Sequence, residues 1–354
     1  MNYTRVGLPW SHGLGKDVKD CTTSKEVMKK ANLNWFVDKC ELVAKMPFGI
    51  NRNNDYDEED GDFVHDGNIY RGCPNAYATY RTDINEPLGI VKSKYEVVQN
   101  TDAFNFFDEA IGEGKAIWQS AGMFGLGHKI FVTAKIPFTG QVGNDEITNY
   151  LVFSNSHDGS SSINIMFTPI RVICTNMLNG ALDSSYNYIR IKHTKTAKER
   201  LHQGSDVLRI ACEYAKDAQD LYKALDTIKM KDSEVLKYIA QLFLTNEENI
   251  KLNDYDSIAG YNKLVNGNYL CLQATNISTR KSNQIAAAYK YYHEGIGQKE
   301  ILGTAWGAYN AITGYYSNVY NMEGEKRMDS LLYGNANNVM QKAIIRAYNY
   351  AEAS

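Results

Sequence analysis

EITNYLVFSNSHDGSSSINIMFTPIRVICTNMLNGAL, residues 146–182, decides the fold class. Ile147 to Phe153 is apolar, β-branched or aromatic, with Asn149 breaking the run. Ser154 to Ser162 gathers turn formers: Asn155, Asp158, Gly159 and several serines. Ile163, Ile165 and Phe167 then alternate with Asn164, Met166 and Thr168, the period of two expected of a strand with one buried face. Pro169 has no N–H for a sheet ladder and suits the first turn of a helix, with Thr168 as its N-cap. The reading is strand, polar turn, strand, then a helix whose polar face carries Arg171, Asn176 and Asn179.

Working outward, the upstream chain adds strands. Phe63–Val64, Ala76–Arg81 and Leu88–Val98 have strand character. Ala116–Met123 and His128–Ile136 are joined by Phe124–Gly127, a hairpin turn or a bulge. With the 146–168 hairpin they make an antiparallel meander of at least four strands. Short helices are predicted over Ser24–Ala31 and, capped by Thr101, over Asp102–Ile111, where Phe104, Phe107 and Ile111 recur at helical spacing. Ser185–Lys192 is a further short strand.

Beyond it the chain reads helical. From Thr194 it reads helical for about ten turns. Its seam is Leu208, Ala211, Ala215, Ala218, Tyr222 and Leu225, separated by alternating threes and fours. Another helix covers Glu234–Leu244, capped by Asp232 or Ser233, and a polar connector fills Thr245–Asn268. Ser278 or Thr279 opens a helix that Gly295 ends. Ile301–Tyr320 carries Gly303 and Gly307 four residues apart, where a neighbour can approach closely, and Met340–Ala351 is the last helix. The expected fold is α+β: an N-terminal arm and acidic loop (1–62), an antiparallel sheet region backed by helices (63–192) and a helical region (193–354).

The chain has 354 residues, 44% of them hydrophobic, enough for a large core. Its net charge of −3 excludes a general polycation, so nucleic-acid binding would need a local patch. Six cysteines form no C-x-x-C pair, which points to reduced thiols. The start, MNYTRVGLPW, has no signal-peptide pattern and no apolar run reaches membrane-spanning length, so a cytoplasmic protein with no membrane partner is expected.

DYDEEDGD, residues 55–62, misses the EF-hand spacing, with Gly61 seventh and Asp66 twelfth, and reads as a solvated loop. His157–Asp158 in the hairpin turn, with Asn155, is either a base or metal ligand, or a turn in which Asp158 holds the backbone and Gly159 takes a positive φ. No paired His or Cys spacing supports a metal, no nucleophile elbow surrounds Ser160–Ser162, and Gly125-Leu126-Gly127 lacks the rest of a phosphate loop. No cofactor is called for and no motif supports an enzyme. The strongest local signal is basic: Arg190, Lys192, His193, Lys195, Lys198 and Arg200, with Glu199 the one acid among them. These residues are either a phosphate-contacting patch, with Tyr186 and Tyr188 as stacking faces, or an ordinary solvated helix end. Arg171 either joins the patch or pairs with a buried acid.

Several stretches resemble the phage/plasmid-like protein family, a domain-of-unknown-function family. They are LGIVKSKYEVVQN (88–100), NSHDGSSS (155–162), FTPIRVICTNML (167–178), RIKHT (190–194), GTAWGAYNAITGYYS (303–317) and YGNANNVMQKA (333–343). The resemblance implies a viral or mobile-element protein in a bacterial cytoplasm and supplies no catalytic residues. The expected function is binding of single-stranded DNA in phage replication or recombination. The alternative is an oligomeric factor, a homo-oligomer that binds a host or phage protein, using the helical seam and the C-terminal tyrosines.

Overall fold

A computed structural model describes residues 15–46, 63–65, 67–112, 116–173, 176–178, 188–202 and 205–353. Its strands in chain order are β1 (Gly15–Asp17), β2 (Val37–Lys45), β3 (Phe63–His65), β4 (Asn68–Arg81), β5 (Glu86–Lys92), β6 (Ile117–Phe124), β7 (Lys129–Val142), β8 (Asp145–Ser156), β9 (Ile163–Arg171), β10 (Asn176–Met177) and β11 (Tyr188–Ile191). The helices are α1 (Ser24–Lys30), α2 (Asn100–Gly112), α3 (Ala197–His202), α4 (Ser205–Thr227), α5 (Asp232–Phe243), α6 (Asn246–Tyr255), α7 (Gly260–Val265), α8 (Tyr269–Thr275), α9 (Thr279–Glu294), α10 (Ala305–Gly314), α11 (Gly324–Leu332) and α12 (Asn335–Ala353). The α+β class is the observed one, and β6 to β9 form the expected meander. The acidic loop 55–62 lies outside the described residues.

Two antiparallel sheets share the strands. The larger runs β1-β6-β7-β8-β9-β10, with β11 also on β9; the smaller runs β2-β4-β3, with β5 also on β4. β1 and β2 precede residue 63, yet they pair with β6 and β4. The helical layer meets the larger sheet through α4, which packs on β7 and β9. α10 is buried along its whole length against α4, α5, α9 and α12.

The alternation in β9 predicts one buried face, but β8 from Ile147 onward and all of β9 are buried on both. Asn164, Met166 and Thr168 are as enclosed as Ile163, Ile165 and Phe167, because strands flank β9 on either side and other elements cover both faces. The helix expected from Pro169 is overturned. Pro169 lies within β9 opposite Asn149, and its carbonyl accepts from the Leu178 N–H at 2.9 Å. A strand residue points its N–H and C=O to the same side. The donor that proline lacks therefore faces the two-residue β10, where the ladder is ending, and costs little. Asn176 sits in β10, while Asn179 is outside the described residues.

Other boundaries shift for identifiable reasons. β5 stops at Lys92, and residues 95–98 continue without a ladder although Val98 is fully buried. The polar connector Thr245–Asn268 is replaced by α6 and α7. Thr245 and Glu248 form a reciprocal capping box, and the sparse apolar residues Leu252 and Leu264 are completely buried. The helical stretch from Thr194 is two helices, α3 and α4. Its seam is internal: Ala211, Ala215, Ala218, Tyr222 and Leu225 are buried, with the Tyr222 ring 5.0 Å from Trp306. The side chain of Leu208, like those of Phe107 and Ile111, is outside the described set. Ser278 and Gly295 cap α9 as expected. Gly307 provides the close approach, since a Cβ there would run into the Ile301 carbonyl, but Gly303 precedes α10 with φ +76°.

Candidate nucleic-acid interface

The 154–162 hairpin tip is the joint between the two sheets. Asn155 Nδ2 donates to the Val98 carbonyl at 2.9 Å, Thr79 Oγ1 to the His157 carbonyl at 2.7 Å, and Tyr95 Oη to the Ser156 carbonyl at 2.6 Å. Gly89 on β5 lies so close that a Cβ there would stand 2.6 Å from Asp158 Cα.

The turn reading of His157–Asp158 matches this geometry. The Ser160 N–H donates to Asp158 Oδ1 at 2.9 Å, Ser156 Oγ donates to the same oxygen at 2.5 Å, and Gly159 has φ +74°. Burial pushes the Asp158 carboxyl up, but these hydrogen bonds outweigh it and hold the group below its ordinary range. His157 is fully buried, edge-on to Trp35 at 5.4 Å. Asn100 spends its Nδ2 on the Leu33 carbonyl, so its Oδ1 must accept, and the His157 Nε2–H donates to it at 2.8 Å. Burial, aided by repulsion from His193, depresses the His157 pKa to about 3. The imidazole is neutral and enclosed: a wedge between sheets, with no open path to a substrate proton.

The basic residues divide. Arg171 is the one charged residue among the largest fully buried side chains of the described residues. It is 0% exposed, pairs with the buried Asp145 at 2.7 Å and donates to the Gly297 carbonyl at 2.6 Å. Trp306 Nε1 donates to the other Asp145 oxygen at 3.0 Å. Pairing with a buried acid is thus the alternative found, and Arg171 does not join the surface patch. His193 is also buried, stacked on Tyr95 at 4.5 Å with Nδ1 against the Glu96 carbonyl. Burial lowers its pKa. Lys198 on α3 pairs with Asp102 on α2 at 2.9 Å.

Arg190, Lys192, Lys195 and Arg200 remain at the surface. Among the described residues, Lys192, Lys195 and Arg200 form no ion pair. The fold adds two cations that local sequence does not connect to them. Glu96 N donates to the His193 carbonyl at 3.2 Å, and the exposed Lys92 and Lys94 stand four and two residues before that contact. About a hundred residues separate the two segments, so no spacing rule joins them. Tyr186 and the Tyr188 side chain are outside the described residues. The C-terminal tyrosines 291, 292, 309, 315 and 316 are buried and pack on one another and on neighbouring helices.

Among the described residues no helix is long and apolar enough to cross a membrane. Described cysteines 21, 40, 73, 212 and 271 are free thiols. Residues 87–343 match the model of a protein family described as a domain of unknown function, DUF932. No curated protein and no solved structure matches the chain.

Proposed function

Since the chain belongs to the DUF932 family of unknown function, we propose its role on physical grounds: it binds single-stranded DNA. Exposed Arg190, Lys192, Lys195 and Arg200 contact the phosphates. The setting is replication or recombination of a phage or mobile element in a bacterial cytoplasm. One observation carries this reading: Lys192, Lys195 and Arg200 stand exposed without ion pairs among the described residues, on a molecule whose overall charge is −3. A polyanion is the partner that such a patch attracts over a mildly negative background, through counterion release. Titration of a labelled oligonucleotide at two salt concentrations tests it. Binding at low salt that is lost on Lys192→Glu with Lys195→Glu supports the reading; no binding at low salt ends it.

A second reading, a homo-oligomer or a factor binding a host or phage protein, rests on a different surface. Ile250, Ile258, Tyr269 and Leu270 on and around α6–α8 are exposed, Ile258 to 91%. Exposed apolar groups on one helical unit favour protein contacts. A solution mass equal to one chain at high concentration, with or without oligonucleotide, counts against the oligomer.

A further inference from the structure

The serine run after the Asp158 turn borders a cleft of about 390 Å³. Lys129 on β7 and Arg190 on β11 line it, facing Asp329 and Tyr333 at the α11–α12 corner. Asn155 lines it too. Its Nδ2 is spent on Val98, and its Oδ1, although buried, has no hydrogen-bond partner among the described residues. A buried acceptor left bare is destabilising, and a donor placed in the cleft relieves that penalty.

The rest of the lining has a defined chemistry. Lys129 is held by Asp329 at 3.3 Å, a loose pair with a half-exposed acid, so its charge stays available. Phe124 and Phe131, stacked at 5.5 Å, give an apolar wall. Tyr333 Oη and Ser154 Oγ share a hydrogen bond of 2.6 Å, and burial pushes the Tyr333 phenol up to about 12, so it remains a neutral donor. Two cations, an apolar wall and a buried acceptor suit a ligand with an anionic end, a flat apolar body and an N–H group. The volume lies within the range of small-molecule sites.

We propose that this cleft binds a 5′-nucleotide, either free or as the phosphorylated 5′ end of a strand. The phosphate is held by Lys129 and Arg190, and a base amino group donates to Asn155 Oδ1. The strand-end form rests on the DNA-binding reading; the free-nucleotide form stands without it.

The test titrates the full chain calorimetrically with dAMP, dCMP and inorganic phosphate. It then compares one oligonucleotide carrying a 5′ phosphate with the same oligonucleotide carrying a 5′ hydroxyl. Ser161→Trp, which fills the cleft without changing charge, is expected to weaken nucleotide binding at least tenfold. Lys129→Met is expected to act in the same direction. Lys192→Glu with Lys195→Glu leaves mononucleotide affinity unchanged while strand binding falls, which separates this site from the surface patch, with which it shares Arg190. A tenfold preference for the phosphorylated end that disappears in Ser161→Trp assigns the strand end; mononucleotide binding with no such preference assigns the free nucleotide; either outcome supports the site. It is overturned if neither mononucleotide binds at millimolar concentration and the two oligonucleotides bind alike. It is overturned equally if inorganic phosphate binds as tightly as dAMP and dCMP, or if both cleft variants bind like the parent.

Discussion

Asp145 and Arg171 sit at the sheet–helix boundary, tied to each other and to Trp306 and Gly297. Removing one buried charge strands the other, which typically costs about 3–5 kcal/mol, whereas an apolar pair of similar volume is often neutral. Arg171→Met should therefore lower unfolding stability by roughly that amount, and adding Asp145→Leu should restore much of it; urea denaturation reads both. His157 gives a pH dependence of known sign. Its folded pKa, about 3, lies below the ordinary 6.5, so the fold holds the neutral form. The contribution is complete above pH 6.5 and is lost as pH falls toward 3, at about 1.4 kcal/mol per unit of depression for a full shift. His193, depressed by its own burial, adds in the same direction, while Asp158 loses its hydrogen-bonded carboxylate form at the acid end. Urea midpoints from pH 7 to pH 4 should fall more steeply for the parent than for His157→Gln, which is less stable at pH 7 but has no imidazole to charge.

At the scale of elements, the hairpin tip and β5 meet backbone to backbone at Gly89 and Asp158. Gly89→Ala drives a methyl into the Asp158 backbone, which cannot retreat as a flexible side chain would. A loss of about 1–3 kcal/mol is expected, as for overpacking elsewhere, measured as a fall in thermal midpoint. Ser278 Oγ accepts from the Lys281 N–H at 3.3 Å, so Ser278→Ala should cost about 1 kcal/mol and loosen the first turn of α9, visible as faster amide exchange there. Elements with strong local punctuation were legible in the sequence: α1, α9, and the strands of the meander. α6 and α7 were not, because their burial depends on one or two leucines in polar surroundings. Pro169 suits a helix start and also a strand position whose donor side is unpaired, and only the neighbouring strands decide between them.

For the whole molecule, the charge distribution sets the expected salt response. Four phosphate contacts to a single strand give a log–log slope of about −3, so affinity should drop roughly fiftyfold between 50 and 200 mM salt. Charge-reversal at Lys192 and Lys195 should flatten that slope, and the same measurement after Lys92→Glu with Lys94→Glu tells whether the second segment takes part.

Composition and periodicity, both properties of the chain read locally, were enough for the α+β class, the antiparallel meander and the basic segment 190–200, since hydrophobic spacing and turn residues act over a few positions. The fates of the individual charges lay beyond that reach. Arg171 is hidden and Lys198 is paired because of residues distant in the chain, and the segment carrying Lys92 and Lys94 meets the basic segment through Tyr95 and Glu96 against His193. Desolvation and ion pairing are set by which segments meet in space, and that is decided when the sheets and helices pack.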